Sequence, residues 1–206
     1  MNTQTAIIRQ GRKFAQVLEH ARRLFMQHGF ESVSMDHIAQ AAQVSKATLY
    51  NYFPDKRMLF MEVARRECEE QAEQLEAKVD DAQPVADVLR VVGRGLMGII
   101  LSEFGRNMFR VCVSEVDRFP EIGQQFYASG PELCRNRLTE FFQEAEARGE
   151  LSVPDPGLAA DQFEELCKAG LFLRQVTGVQ TRFTQEEVDY VVDGAVEMFI
   201  ARYGVR

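Results

Sequence analysis

Tryptophan is absent from this chain of 206 residues, and cysteine (four) and proline (six) are sparse. Cys68, Cys112, Cys134 and Cys167 stand far apart with no CxxC pair. That spacing excludes zinc ribbons and disulfide-stapled scaffolds and leaves reduced core thiols. No apolar run approaches the roughly 18–20 residues of a membrane span. The stretch MNTQTAIIRQGRK has neither the apolar stretch nor the cleavage site of an export signal, so a cytoplasmic location and no membrane partner are expected. Two-residue alternation of apolar and polar side chains is nearly missing, and with it the case for strands.

Charge is present but unevenly placed. Up to Phe60 there are eight basic and four acidic residues, whereas the remainder holds 16 basic and 27 acidic ones, within a net charge of -7. A basic head on an acidic body suits a head that alone meets a polyanion.

Helical periodicity dominates. Phe14, Val17, Leu18, Ala21, Leu24 and Phe25 recur at i, i+3, i+4 and i+7, up to a stop at Gly29. Ser34 caps a short second helix to about Ala42, and Ser45 caps a third ending near Tyr52. After Pro54, Asp55 caps a long fourth helix towards Val79. Further helices are expected over about 84–104, on to 118, over 120–148 with a break at Gly130-Pro131, over 158–176 and over 186–203. The fold class is therefore all-α: a three-helix head with a helix-turn-helix, and a larger helical body.

The second and third helices have the proportions of a helix-turn-helix, whose second helix enters the major groove. Leu49 and Phe53 point to the core, leaving Lys46, Ala47, Thr48, Tyr50 and Asn51 outward. Lys46 can donate to guanine or phosphate, Ala47 can touch a thymine methyl, and Asn51 can pair bidentately with adenine. Thr48 offers a hydroxyl to base or phosphate, and the Tyr50 and Tyr52 hydroxyls suit phosphate oxygens. Ser34, Ser45 and Lys56 lie at helix N-termini, where phosphates are readily held.

The stretch Ala21 to Phe60 closely resembles the DNA-binding domain of TetR-family transcriptional regulators. The matching residues are Gly29-Phe30, Ser34, Ile38-Ala39, Val44-Ser45, Thr48-Leu49-Tyr50, Tyr52-Phe53 and Lys56. Gln43 departs from the glycine common in the turn, and Ala47 from a frequent Gly or Pro. Phe104 to Glu132, followed by LSVPDPGLAADQF, resembles the effector-binding domain of the AefR-like branch. The resemblance implies residues 1–56 as a DNA-binding domain and 57–206 as an effector-binding and dimerisation domain. It further implies a homodimer built on the last two helices and a repressor that leaves a palindromic operator when a small molecule binds.

The body supplies candidates for both roles. Met97, Leu101, Phe104, Met108, Cys112, Phe126 and Leu166 offer a soft apolar lining for an unknown effector. The final helix carries apolar residues on more than one face, so Val192, Ala195 and Phe199, with Gly170 and Phe172 before them, are expected at the dimer interface.

Gly93 to Gly98 spells GxGxxG, but Leu89, Val92, Leu96 and Ile99 share one helical face and no strands complete a nucleotide-binding sheet. His20, His28 and His37 have no metal-ligand spacing, so neither metal nor cofactor is expected. An α-helical enzyme would need an acid/base or nucleophile pair that the sequence does not display. An activator or a ligand-independent regulator of the same fold remains as the alternative to a released repressor.

Overall fold

The computed structural model describes residues 11–79 and 83–205, so the expectation for the first ten residues lies outside it. In chain order the elements are α1 (Arg12–Ser32), α2 (Met35–Ala41), α3 (Lys46–Tyr52), α4 (Lys56–Glu76), α5 (Val85–Ile100) and α6 (Glu103–Glu115). They continue with α7 (Pro120–Ser129), α8 (Pro131–Ala147), α9 (Pro156–Lys168), α10 (Phe172–Val176) and α11 (Gln185–Tyr203). Among the described residues the only β pairing is an isolated antiparallel bridge, Leu151 to Gly204. The protein is all-α. No described helix is long and apolar enough to cross a membrane.

The chain forms two compact units, one of residues 1–67 with 107–126 and one of 68–106 with 127–206. These are units of packing, and the expected division at 56/57 is not one of their boundaries.

In the first unit, the whole α1 stripe from Phe14 to Phe25 is buried. Gly29 interrupts the helix with φ +74°, a left-handed turn that suits glycine, and returns Phe30 to the core. Phe25 and Phe30 both meet the Phe60 ring, at 5.0 and 4.9 Å between centroids. Each such buried phenylalanine contributes about 1.5–3 kcal/mol.

Between α2 and α3 the chain turns through Gln43 at φ +51°, the one described non-glycine residue with a left-handed backbone. The turn thus keeps a conformation natural to glycine despite its side chain. Left-handed geometry costs an ordinary residue about 1–2 kcal/mol, and glycine returns part of that in chain entropy. Gln43→Gly is expected to gain about 1 kcal/mol, or roughly 2–4 °C in Tm for a chain of this size, measured by thermal unfolding.

The second unit packs α5, α8, α9 and α11 around Phe142, Phe163 and Phe199. Gly93 permits a close approach of α11: a Cβ there would lie 2.7 Å from Val192 Cγ1 and 3.2 Å from Cys167 Sγ. Gly95 would similarly strike Leu75, whereas nothing lies near Gly98. The glycine motif therefore sits inside α5 and serves helix packing. Arg94 extends across to Asp189 at 2.6 Å and Arg90 to Asp193 at 3.3 Å, so these two carboxylates of α11 face α5.

Two helix limits differ from expectation. The helix expected over 84–104 stops at Ile100, because Ser102 Oγ accepts the Gly105 N–H and starts α6, which places Phe104 on α6. The helix expected over 158–176 is split into α9 and α10 at Gly170, whose φ is +71°.

The four cysteines are free, and Cys134 is the one that is only partly buried. Burial, and behind it the Glu164 carboxylate, pushes the Cys167 thiol up to about 12 and raises Cys134 as well. Glu164 itself is tied to Lys168 Nζ at 2.5 Å.

Candidate nucleic-acid interface

Local capping builds the helix-turn-helix. Ser34 Oγ accepts the His37 N–H and Ser45 Oγ accepts the Thr48 N–H, each at 3.1 Å, so both short helices begin at a side-chain cap. The Ser45 and Thr48 hydroxyls also share a 2.8 Å hydrogen bond. Leu49 and Phe53 are buried and fix the inner side of α3. Phe53 stacks on Phe14 with centroids 5.3 Å apart.

That anchoring fixes what faces outward. Lys46, Ala47, Tyr50 and Asn51 are exposed on α3, and Thr48 is half-buried. Tyr52 is half-buried and sets its ring edge-on to Phe14 at 5.4 Å, which commits the ring to the core. Lys46 Nζ donates to Asp36 Oδ2 at 2.6 Å, and this bond raises the ammonium pKa above its ordinary value. Both partners are well exposed, so the pair adds little stability.

Lys56 performs a task that the sequence did not disclose. Its ammonium donates to the carbonyls of Phe30 (2.8 Å) and Glu31 (3.4 Å) and lies 4.2 Å from the Phe30 ring centroid. It therefore caps the end of α1 just beyond the Gly29 kink. No local spacing marks that contact, because the partners are 26 and 25 residues away. Among the histidines, the rings of His28 and His37 lie 6.3 Å apart, and the His20 ring meets the Gln16 carbonyl. No described group of three or more His, Cys, Asp or Glu could hold a metal ion.

The candidate lining residues divide between the units. Met97, Leu101, Phe104 and Leu166 belong to the second, with Met97 buried in its core and Leu101 and Leu166 packed against it. Met108, Cys112 and Phe126 belong to the first, where Phe126 meets Phe109 at 6.2 Å. Nearby in sequence to neither group, Gln175 is 1% exposed; its Nε2 donates to the Leu101 carbonyl at 2.5 Å, and no described group donates to its Oε1.

The expected dimer residues require a correction. Val192, Ala195 and Phe199 are 0%, 3% and 1% exposed and belong to the chain's own core, so a partner chain cannot reach them. Val192 is held there by the bare backbone of Gly93. Gly170 is exposed in the break before α10, and Phe172 is half-buried with Lys168 Nζ 5.9 Å from its ring centroid. The apolar surface that α11 does present is Tyr190 (83% exposed) and Met198 (61%), with Gly194 between them. Leu173 on α10 is exposed as well.

Comparison with known proteins decides the family. Residues 17–63 match the model of bacterial regulatory proteins of the tetR family, and residues 87–205 match the C-terminal domain of AefR-like transcriptional repressors. The second match alone spans more than half of the chain. The chain belongs to the TetR family. Among solved TetR-family structures, a regulator from Mesorhizobium loti is 27% identical with a TM-score of 0.83, covering 99% of this chain and 100% of that one. The flavonoid-responsive regulator FrrA is 35% identical with a TM-score of 0.70, over 96% and 100% of the two chains. The HTH-type transcriptional repressor AcnR of Corynebacterium efficiens is 34% identical over 58 residues, 28% of this chain and 31% of that protein. The match thus spans about a third of the length of that relative.

Proposed function

We propose that this TetR-family chain is a DNA-binding transcriptional repressor that leaves a palindromic operator when a small-molecule effector binds. The observation that carries this reading is the outward face of α3, capped at Ser45 and anchored by Leu49, with Lys46, Ala47, Tyr50 and Asn51 exposed. A major groove about 12 Å wide admits one helix carrying such short or planar polar groups. Lys46, Ala47, Thr48 and Asn51 read base edges, and Tyr50 holds a phosphate. Ser34 and Ser45 act first by capping α2 and α3, Tyr52 by packing on Phe14 and Lys56 by capping α1, and their remaining donors serve the DNA backbone. Release of Lys46 from Asp36 costs little and frees its charge for the groove.

Two copies present two such helices to half-sites about 34–36 Å apart, or a multiple of that. Self-association uses the Tyr190, Gly194 and Met198 face of α11 with Leu173 of α10. Met198→Asp is expected to halve the mass seen by sedimentation while the far-UV helical signal stays as in wild type, since the side chain is exposed on the single chain. A dimer of unchanged mass puts the interface elsewhere.

The effector site draws on the apolar residues Met97, Leu101, Phe104 and Leu166, with the unpartnered Oε1 of Gln175 as an acceptor for a ligand hydroxyl or N–H. That chemistry suits a hydroxylated aromatic, and FrrA is by name flavonoid-responsive. The deciding experiment is a gel shift at low salt with the DNA upstream of the protein's own gene. Retention that weakens steeply as salt rises supports the reading, and failure to retain any native fragment ends it.

A further inference from the structure

The turn between α2 and α3 closes without help from the side chain at its centre. The Gln43 N–H donates to the Gln40 carbonyl at 3.1 Å and the Val44 N–H to the Ala39 carbonyl at 3.0 Å, so the backbone alone holds the turn. Ala42 before it is buried and Val44 after it is half-buried, whereas Gln43 is exposed. Among the described residues nothing bonds to the Gln43 amide.

At φ +51° the Cβ of Gln43 crowds its own backbone. Glycine escapes that crowding, and a glutamine does not. Gln43 therefore destabilises its turn and makes no contact within the described chain that offsets the strain. Departures of this kind from the locally favoured residue concentrate where a side chain is used for binding.

Its position says what the side chain can meet. Gln43 stands two residues before Ser45, the cap of α3, whose outward residues are Lys46, Ala47, Tyr50 and Asn51. In a helix-turn-helix the N-terminal end of the second helix meets the base edges. The residues just before it then stand at the rim of the groove, along the sugar–phosphate chain. A glutamine amide carries two N–H donors and no charge, which suits a phosphate oxygen.

We propose that Gln43 is a further DNA-contacting residue, whose amide donates to a phosphate at the edge of the groove that α3 enters. This deepens the DNA-binding reading and rests on it. A neutral donor to phosphate adds affinity on every duplex and releases no counterion, so it leaves the salt dependence as it is.

The experiment is a gel shift on the full-length chain as wild type, Gln43→Gly, Gln43→Glu and Gln43→Lys. The probes are the DNA upstream of the protein's own gene and an unrelated duplex of equal length, each over a salt series, beside thermal melts of the same preparations. Gln43→Gly is expected to melt about 2–4 °C higher. It should nevertheless bind both duplexes about tenfold more weakly, with the wild-type salt slope. Gln43→Glu keeps the length and the strain of the residue, melts as wild type and binds more weakly than Gln43→Gly. Gln43→Lys also melts as wild type, and its salt slope steepens by about one unit per bound chain. A Gln43→Gly chain that binds as wild type overturns the inference, as does a loss confined to the upstream DNA or a lysine variant of unchanged slope. With wild type bound, each of these outcomes removes the Gln43 contact alone. A wild-type chain that retains no duplex removes the DNA-binding reading itself, and this inference with it.

Discussion

Ala47→Glu is expected to abolish operator binding while the protein melts as before. Ala47 is exposed in the first turn of α3, where an added carboxylate complements the helix dipole. Stability therefore stays within about 0.5 kcal/mol of wild type. On DNA the same carboxylate would enter the groove between two phosphate chains. A like-charge contact there costs several kcal/mol, so affinity should fall about 100-fold or more. The check is a gel shift with the upstream DNA beside a thermal melt of the same preparation. Unaltered affinity would mean that α3 does not face the groove, whatever else the protein binds.

Phe199→Ala is expected to give the largest loss of stability of any single substitution considered. The ring is 1% exposed and stands between Phe142 (4.7 Å), Phe163 (5.6 Å) and Tyr203 (4.8 Å). Removing such a ring leaves a cavity among residues that cannot close on it, at about 3–5 kcal/mol. With roughly 2–4 °C per kcal/mol for a chain of this size, Tm should drop by about 6–20 °C. Thermal unfolding followed by circular dichroism measures it, and a drop below about 3 °C would show that the cluster repacks. The contrast with Met198 is instructive. Adjacent positions on one helix are expected to act on the fold and on assembly separately.

That contrast also marks the limit of what the sequence disclosed. The caps at Ser34, Ser45 and Asp55 were legible because a cap spans two or three residues and needs nothing beyond its own turn. The all-α class followed from helical periodicity along the whole chain, and the outward set on α3 from the spacing of Leu49 and Phe53. On α11, by contrast, apolar residues cover more than one face, and periodicity alone does not say which face meets the chain's own core. The choice is made by Gly93 on α5, whose missing side chain admits Val192. The contacts of Lys56 with Phe30 and of Arg57 with Glu115 were hidden for the same reason, since they join positions 26 and 58 apart. Gly170 was visible as a glycine, but apolar residues continue on both sides of it, so the period masked the break.

The electrostatic setting of the thiols has a practical consequence for labelling. Cys134 and Cys167, raised by burial and by Glu164, hold almost no thiolate at neutral pH, and burial also raises Cys112. Alkylating reagents attack thiolates, so these side chains form a silent background. A cysteine placed at the open position 47 would then outpace them, and a fluorophore attached there could report directly on whether that surface is covered by a duplex.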